Sequence, residues 1–168
     1  MRLGWAAALL IGAGMMAATQ AARAEDAPKK GGTLSFAVVA EPPNYDCHGS
    51  TTFALVHPIG PHYSTLLKFD AKDYPKVIGD LAESWQASPD GLTYTFKLYP
   101  NIKFHDGTPL TSEDVKASYD RIINPPQGVV SIRKAYYSEI GAIETPDPQT
   151  VVFKLKGPMA GVLEALAS

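Results

Sequence analysis

Residues 92–98 read Leu-Thr-Tyr-Thr-Phe-Lys-Leu, apolar or aromatic at every second position, with Thr93, Thr95 and Lys97 between. A period of two belongs to a strand with one buried face. Ser88, Pro89, Asp90 and Gly91 just before it are turn residues, with Gly91 suited to a positive φ. Residues 81–98 are therefore predicted as a hairpin with Trp85 on its first arm. A second hairpin is predicted over 142–155, where two β-rich arms flank Pro146, Asp147 and Pro148. Residues 33–41, Thr-Leu-Ser-Phe-Ala-Val-Val-Ala-Glu, end in a continuous apolar run and read as a buried strand. Pro42, Pro43 and Asn44 close it in a loop over 42–50.

The pattern then changes to the helical period. Val115, Tyr119 and Ile122 fall at i, i+4 and i+7 and form one apolar face. Thr111 is placed to cap that helix, with Asp114 three residues on as in a capping box. Glu113 and Asp114 lie in the first turn, where the helix dipole favours negative charge. The stretch 103–122, Lys-Phe-His-Asp-Gly-Thr-Pro-Leu-Thr-Ser-Glu-Asp-Val onward, looks at first like an active site. Each of its polar residues has a structural task, so it reads as strand, tight turn and helix start. Asn124 to Gly128 stop the helix, and 131–141 suit another short one. Residues 51–70 look helical at their start and again at 62–69. Pro58 and Pro61 break that run before a short strand near Leu66–Phe69. Pro158 suits the first position of a last helix, with Met159, Val162, Leu163 and Leu166 on one side. That stripe is still running, uncapped, at Ser168, so the sequence is expected to be a fragment of a longer domain.

Composition narrows the class. A chain of 168 residues, 45% hydrophobic and 19% charged, is expected to fold as one globular domain. Fourteen Gly and fourteen Pro imply many turns and short elements rather than a helical bundle. A net charge of −2 gives no reason to expect a nucleic-acid or anionic-membrane partner. Arg2, the apolar run 3–18 and Ala22-Arg23-Ala24 together read as a secretory signal peptide over 1–24, cut before Glu25. An uncleaved anchor is the alternative, and the small residues at 22 and 24 argue against it. Residues 25–32 then form a flexible leader, and 33–168 the folded part. Cys47 is the only cysteine, so no internal disulfide can form and stability must come from packing.

Candidate chemistry is sparse. There is no glycine-rich phosphate loop between strand and helix, no CxxC, no HExxH and no EF-hand loop. Cys47, His48, His57 and His62 could in principle hold a soft or borderline metal, but their spacing matches no known ligand scheme and loop positions account for them. No base or charge that would activate Cys47 as a nucleophile is visible beside it. Trp85 and Tyr136-Tyr137 could stack on a ligand, although aromatics in such elements usually fill cores.

Three stretches together carry a resemblance: 31–46 (Gly-Gly-Thr-Leu to Asn-Tyr-Asp), 80–115 (the Ala-Glu-Ser-Trp, Asp-Gly-Leu-Thr-Tyr-Thr-Phe-Lys-Leu and Lys-Phe-His-Asp-Gly-Thr-Pro series) and 145–158. The chain resembles the extracytoplasmic solute-binding proteins that serve ABC importers for peptides and nickel, from Gly31 on. The resemblance implies a type II periplasmic-binding-protein fold, α/β and two-lobed, of which only the first part of lobe one and its extra subdomain would be present. It implies a periplasmic receptor that captures a solute, foremost an oligopeptide, by hinge closure and hands it to the ABC permease complex in the inner membrane. Such a protein would act as a monomer, without a catalytic step, a cofactor or a resident metal. In relatives the segments after the first strand and after the 112–123 helix lie near the ligand. Carried over, this points to His48, Ser50, Thr51, Thr52 and Phe53, and to Ser131, Arg133, Tyr136 and Tyr137. Cys47, where Pro often follows the Asp, and the Pro58/Pro61 break both depart from the common pattern beside that wall. A nickel or metal-chelate carrier, a sugar or opine-like solute, and from another class a secreted hydrolase are the alternatives.

If Thr111 caps the helix, Thr111→Ala will cost about 1 kcal/mol. A denaturant midpoint unchanged by the substitution would return the polar run 103–122 to the list of candidate sites.

Overall fold

The computed structural model describes residues 30–33 and 35–168. The expected signal peptide over 1–24 and the leader up to 29 lie outside the described residues. The chain divides into two compact units, 1–36 and 37–168. The described residues of the first are irregular and exposed.

Within the second unit the elements run α1 (Phe53–Ile59), a 3-10 turn (Gly60–His62), β1 (Leu67–Phe69), β2 (Val77–Gly79), β3 (Ala82–Ala87), β4 (Thr93–Leu98), α2 (Ser112–Ile123), a 3-10 turn (Lys134–Tyr137), β5 (Ile140–Asp147), β6 (Thr150–Leu155) and α3 (Val162–Ala165). β3, β4, β6 and β5 form, in that order, a four-stranded antiparallel sheet, and β1 and β2 a separate antiparallel pair. Two hairpins thus meet along β4 and β6, where Phe96 pairs with Val151 and Tyr94 with Phe153.

Both predicted hairpins are present. In the β3–β4 turn Gly91 takes φ 68°, and its N–H donates to the Ser88 carbonyl at 2.9 Å. Asp90 accepts from the Leu92 N–H at 3.0 Å. The second turn is tighter than expected: Asp147 still belongs to β5, and its carboxylate accepts from the Gln149 N–H at 2.8 Å. The hydrogen bonds that Asp90, Asp106 and Asp147 accept in three turns hold their carboxyls below the ordinary value.

Alternation becomes packing at the sheet face. Phe96 and Phe153 are both 0% exposed and meet edge to face, with centroids 5.6 Å apart. Tyr119 of α2 descends onto Phe153 at 5.1 Å and onto Tyr137 at 5.4 Å, again edge to face. This geometry suits the ring quadrupoles and adds to the apolar area removed from water. Val115 and Ile122 are buried on the same helix face, as the helical period requires.

The start of α2 is fastened from two sides. Asp114 accepts from the Thr111 N–H at 2.8 Å and from its hydroxyl at 2.9 Å, which forms the carboxylate arm of the capping box. Ser112, almost wholly buried, donates from its hydroxyl to the Asp147 carbonyl at 2.6 Å and from its N–H to the Pro148 carbonyl at 2.8 Å. The helix N-terminus is therefore stitched to the β5–β6 turn.

Four expectations need correction. Thr33 and residues 35–41 form no strand and are exposed, with Val39 at 81%. Apolar content alone does not make a strand: no described segment pairs with this one, so its backbone has no ladder. Residues 62–69 are not helical. The chain tightens at Gly60–His62 and then extends into β1, while Pro58 is accommodated inside the last turn of α1. Residues 131–141 give a 3-10 turn and then the start of β5 rather than a helix. The last helix begins at Val162 instead of Pro158 and spans four residues, because Gly161 takes the left-handed φ of 76°, which a right-handed helix cannot include.

Gly79 is required by contact rather than by φ. A Cβ there would fall inside the Ala82 carbonyl oxygen, where the chain turns from β2 into β3.

Truncating the ring at the centre of the aromatic cluster, Phe153→Ala, is expected to cost about 3–5 kcal/mol. The same change at exposed Phe53 is expected to stay within about 0.5 kcal/mol. Equal shifts of the two denaturation midpoints would mean that the cluster is not the core.

Candidate functional site

Residues 44–49 form a loop held by its own side chains. Asn44 accepts from the Asp46 N–H and Asp46 from the His48 N–H, both at 2.9 Å. The Gly49 N–H donates to the Asp46 carbonyl at 3.1 Å. These bonds turn the Cys47 carbonyl toward Arg133, whose Nε donates to it at 3.4 Å. On its other side Asp46 pairs with Arg121 of α2 at 3.5 Å. Segments 86 positions apart in sequence are thus brought to one place.

That place is the rim of an open cleft of about 800 Å³. Val115, Tyr119 and Ile122 of α2 form one wall, and Val56 and Ile59 of α1 contribute to another. Lys68 and Asp80 stand at the β1–β2 side, paired at 3.0 Å, and Asp80 also accepts from the Thr65 N–H at 3.0 Å. Asp114, a further acid in the lining, is engaged by the helix cap. The lining is thus mostly apolar, with its acids already committed.

Of the ligand-wall residues that the resemblance points to, His48, Arg133 and Tyr137 line this cleft, and Cys47 lines it beside them. Tyr137 is 4% exposed, and its hydroxyl donates to the Ala165 carbonyl at 2.8 Å, so its polar end is engaged in the fold. Burial pushes the phenol of Tyr119 well above its ordinary value and raises that of Tyr137, and both stay neutral. The others lie outside the cleft. Ser131 caps the far end of α2, its hydroxyl donating to the Ile122 carbonyl at 2.8 Å. Ser50 faces Thr52 across 3.4 Å at the start of α1, and Thr51 is exposed. Phe53 stacks on His57 at 5.1 Å with one face in solvent, and Tyr136 is 65% exposed. Lys68, Asp80, Tyr63 and Phe104 line the cleft without having been anticipated. Only a knowledge of which loops meet could have found them: Asp80 and Phe104 sit in the 80–115 stretch, but nothing in it places them at a cleft.

Cys47, His48, His57 and His62 do not converge. Among the described residues no three His, Cys, Asp or Glu side chains are placed to share a metal ion.

Residues 76–168 match the model of the bacterial extracellular solute-binding proteins, family 5, middle region. The chain belongs to this family. A Brucella ovis protein provisionally named as an ABC transporter peptide-binding protein is 44% identical over 105 residues, 62% of this chain and 19% of that protein. The glutathione-binding protein GsiB of Pectobacterium atrosepticum is 41% identical over 105 residues, 62% of this chain and 20% of GsiB. The chain thus spans about a fifth of the length of these curated relatives. Among solved structures, the oligopeptide-binding protein AppA of Bacillus subtilis, in complex with a nonapeptide, superposes with a TM-score of 0.68. It is 30% identical, and the match covers 77% of this chain and 26% of AppA. The binding protein AgaA of Agrobacterium, in complex with agropinic acid, superposes with a TM-score of 0.57 at 39% identity, over 62% of this chain and 20% of AgaA. The mixed α/β fold is therefore that of part of a periplasmic binding protein.

Burial lowers the pKa of His48 below 6.5, the Arg121 and Arg133 charges lower it further, and Asp46 opposes them. The folded protein therefore takes up this proton less readily than the unfolded chain. Stability from His48 is full above pH 6.5 and is lost as pH falls from there through the lower folded value. His48→Gln is expected to flatten the fall in melting temperature between about pH 7 and pH 5. An identical slope in the variant would show that His48 is not linked to folding.

Proposed function

We propose that the protein is the substrate-binding component of an ABC importer and that its solute is an oligopeptide. The observation that carries this reading is the match to AppA, which covers more of the chain, at a higher TM-score, than the matches to opine- or nickel-binding neighbours. AppA matches over 77% at 0.68, and the oligopeptide-binding protein OppA of Haemophilus influenzae agrees in fold over 72% at 0.64. AgaA and the nickel-binding NikZ of Campylobacter jejuni match over 62%, each at 0.57. The names of the Brucella and Pectobacterium relatives point the same way.

In this reading the signal peptide over 1–24 carries the protein to the periplasm. The ligand lies between this portion and a second lobe, and its contacts with both favour the closed state. The closed receptor, acting as a monomer, docks on the permease in the inner membrane. No covalent step is required. From the segments 48–53 and 131–137, the ligand wall on this side takes His48, Arg133 and Tyr137, which line the cleft.

A second reading, an opine-like acid, is favoured by the 39% identity to AgaA, above the 30% to AppA. Native mass spectrometry of the protein from a periplasmic extract, followed by calorimetry with pooled peptides, agropinic acid and Ni(L-His), separates the two. Co-purified peptide masses and peptide binding at micromolar or tighter Kd are the expected result. Binding of agropinic acid alone would replace the oligopeptide reading with the opine one. Binding of the nickel chelate alone would replace it with metal uptake.

A further inference from the structure

Residues 44–49 lie at the rim of the cleft as a strap with a firm shape and a weak seat. The shape comes from within: Asn44 and Asp46 accept the Asp46 and His48 N–H groups, and the Gly49 N–H returns to the Asp46 carbonyl. The seat consists of two long polar contacts, the Asp46–Arg121 pair at 3.5 Å and the Arg133 Nε bond to the Cys47 carbonyl at 3.4 Å. The sequence on either side adds no firm anchor. Residues 35–43 pair with no described strand, and α1 starts at Phe53 without a side-chain hydrogen bond from Thr52. Both partners of the ion pair are well exposed, so it holds the loop only lightly. A segment bonded within itself and lightly held can leave its seat while the core stays folded.

The charge at that seat is unbalanced. His48 faces Arg121 of α2, Arg133 of the second 3-10 turn and, on its own loop, Asp46. Asp46 is the one acid of the group and is shared with Arg121. The α1 residues in the lining, Val56 and Ile59, carry no charge, and the other acids there are committed: Asp80 to Lys68, Asp114 to the α2 cap. The remaining titratable groups of the lining are the Cys47 thiol and the phenols of Tyr63, Tyr119 and Tyr137, kinds that titrate in the alkaline range. A proton on His48 therefore sets three cations against one carboxylate. Burial, and after it the Arg121 charge, lowers the pKa of the seated His48 below 6.5; Asp46 opposes this and Arg133 adds to it. The seated loop thus takes up the proton less readily than a loop in solvent. By linkage, seating is full above pH 6.5 and is lost as pH falls through the lower seated value.

We propose that the 44–49 loop is a proton-operated strap on the cleft, seated while His48 is neutral and released when His48 is protonated, so that solute is held at neutral pH and given up in mild acid. The strap brings Cys47 and His48 into the lining, and its departure removes part of the wall and admits water. This assignment rests on the solute-binding reading above and adds to it a control of the same site.

The test uses the full-length protein, stripped of ligand, in two measurements. Calorimetry at about pH 7 and about pH 5 follows the binding of agropinic acid and of a pool of short peptides free of His, Asp, Glu and Cys, whose charges change little in this window. The unaltered protein is expected to lose affinity by about fivefold or more in acid, and His48→Gln by less than about twofold. The second measurement follows the His48 imidazole by NMR without ligand, in the unaltered protein and in Asp46→Asn. With the loop still seated, loss of the Asp46 charge lowers the His48 pKa further; with the loop released, the value rises toward the ordinary 6.5. The rise is the expected result. Equal affinity at the two pH values overturns the strap and leaves the solute-binding reading standing. An undiminished acid loss in His48→Gln overturns it too, and so does a lowered His48 value in Asp46→Asn. Binding of neither the peptides nor agropinic acid at pH 7 overturns the oligopeptide and opine readings and the strap with them.

Discussion

The unit 37–168 depends on the seating of α2 against the second hairpin. Tyr119 meets Phe153 and Tyr137 edge to face, while the Ser112 hydroxyl and N–H bind the two carbonyls at the β5–β6 turn. The apolar contact supplies most of the driving force, and the two hydrogen bonds fix where along the sheet the helix begins. With its start pinned and its rings seated, α2 has little freedom to slide or rotate. Its apolar face must then serve two purposes. Part of it closes the core over β6, and the same residues, Val115, Tyr119 and Ile122, form a wall of the cleft.

The 44–49 loop depends on that seating in turn. It has little apolar surface of its own and is held by short-range bonds from Asn44 and Asp46, plus one ion pair to Arg121 on α2. An exposed pair of this kind contributes little to stability. Its effect is on position: it ties the loop to α2, beside the Arg133 contact to the Cys47 carbonyl.

Much of this was legible in the sequence, for an identifiable reason. The period-two run 92–98, the Asp90-Gly91 turn, the Thr111/Asp114 cap and the i, i+4, i+7 stripe of α2 are all encoded within about ten residues of chain, where backbone sterics and local hydrogen bonds decide the outcome. The apolar run 33–41 misled for the complementary reason. A buried strand is defined by a partner, and no described segment supplies one. The last helix misled differently: Pro158 permits a helix start, but the left-handed Gly161 postpones it to Val162.

The sequence by itself determined the family, the two hairpins and the capped helix, because each is written in short-range periodicity and turn chemistry. It also named His48 and Arg133 as members of two wall segments, but gave them no geometry. Only the tertiary structure decided that the two segments meet through the Cys47 carbonyl, that Tyr137 and Ser131 are engaged by the fold, and that Lys68 and Asp80 share the cleft. Whether a charge is paired depends on residues dozens of positions away. No local pattern in a chain records the distance between them.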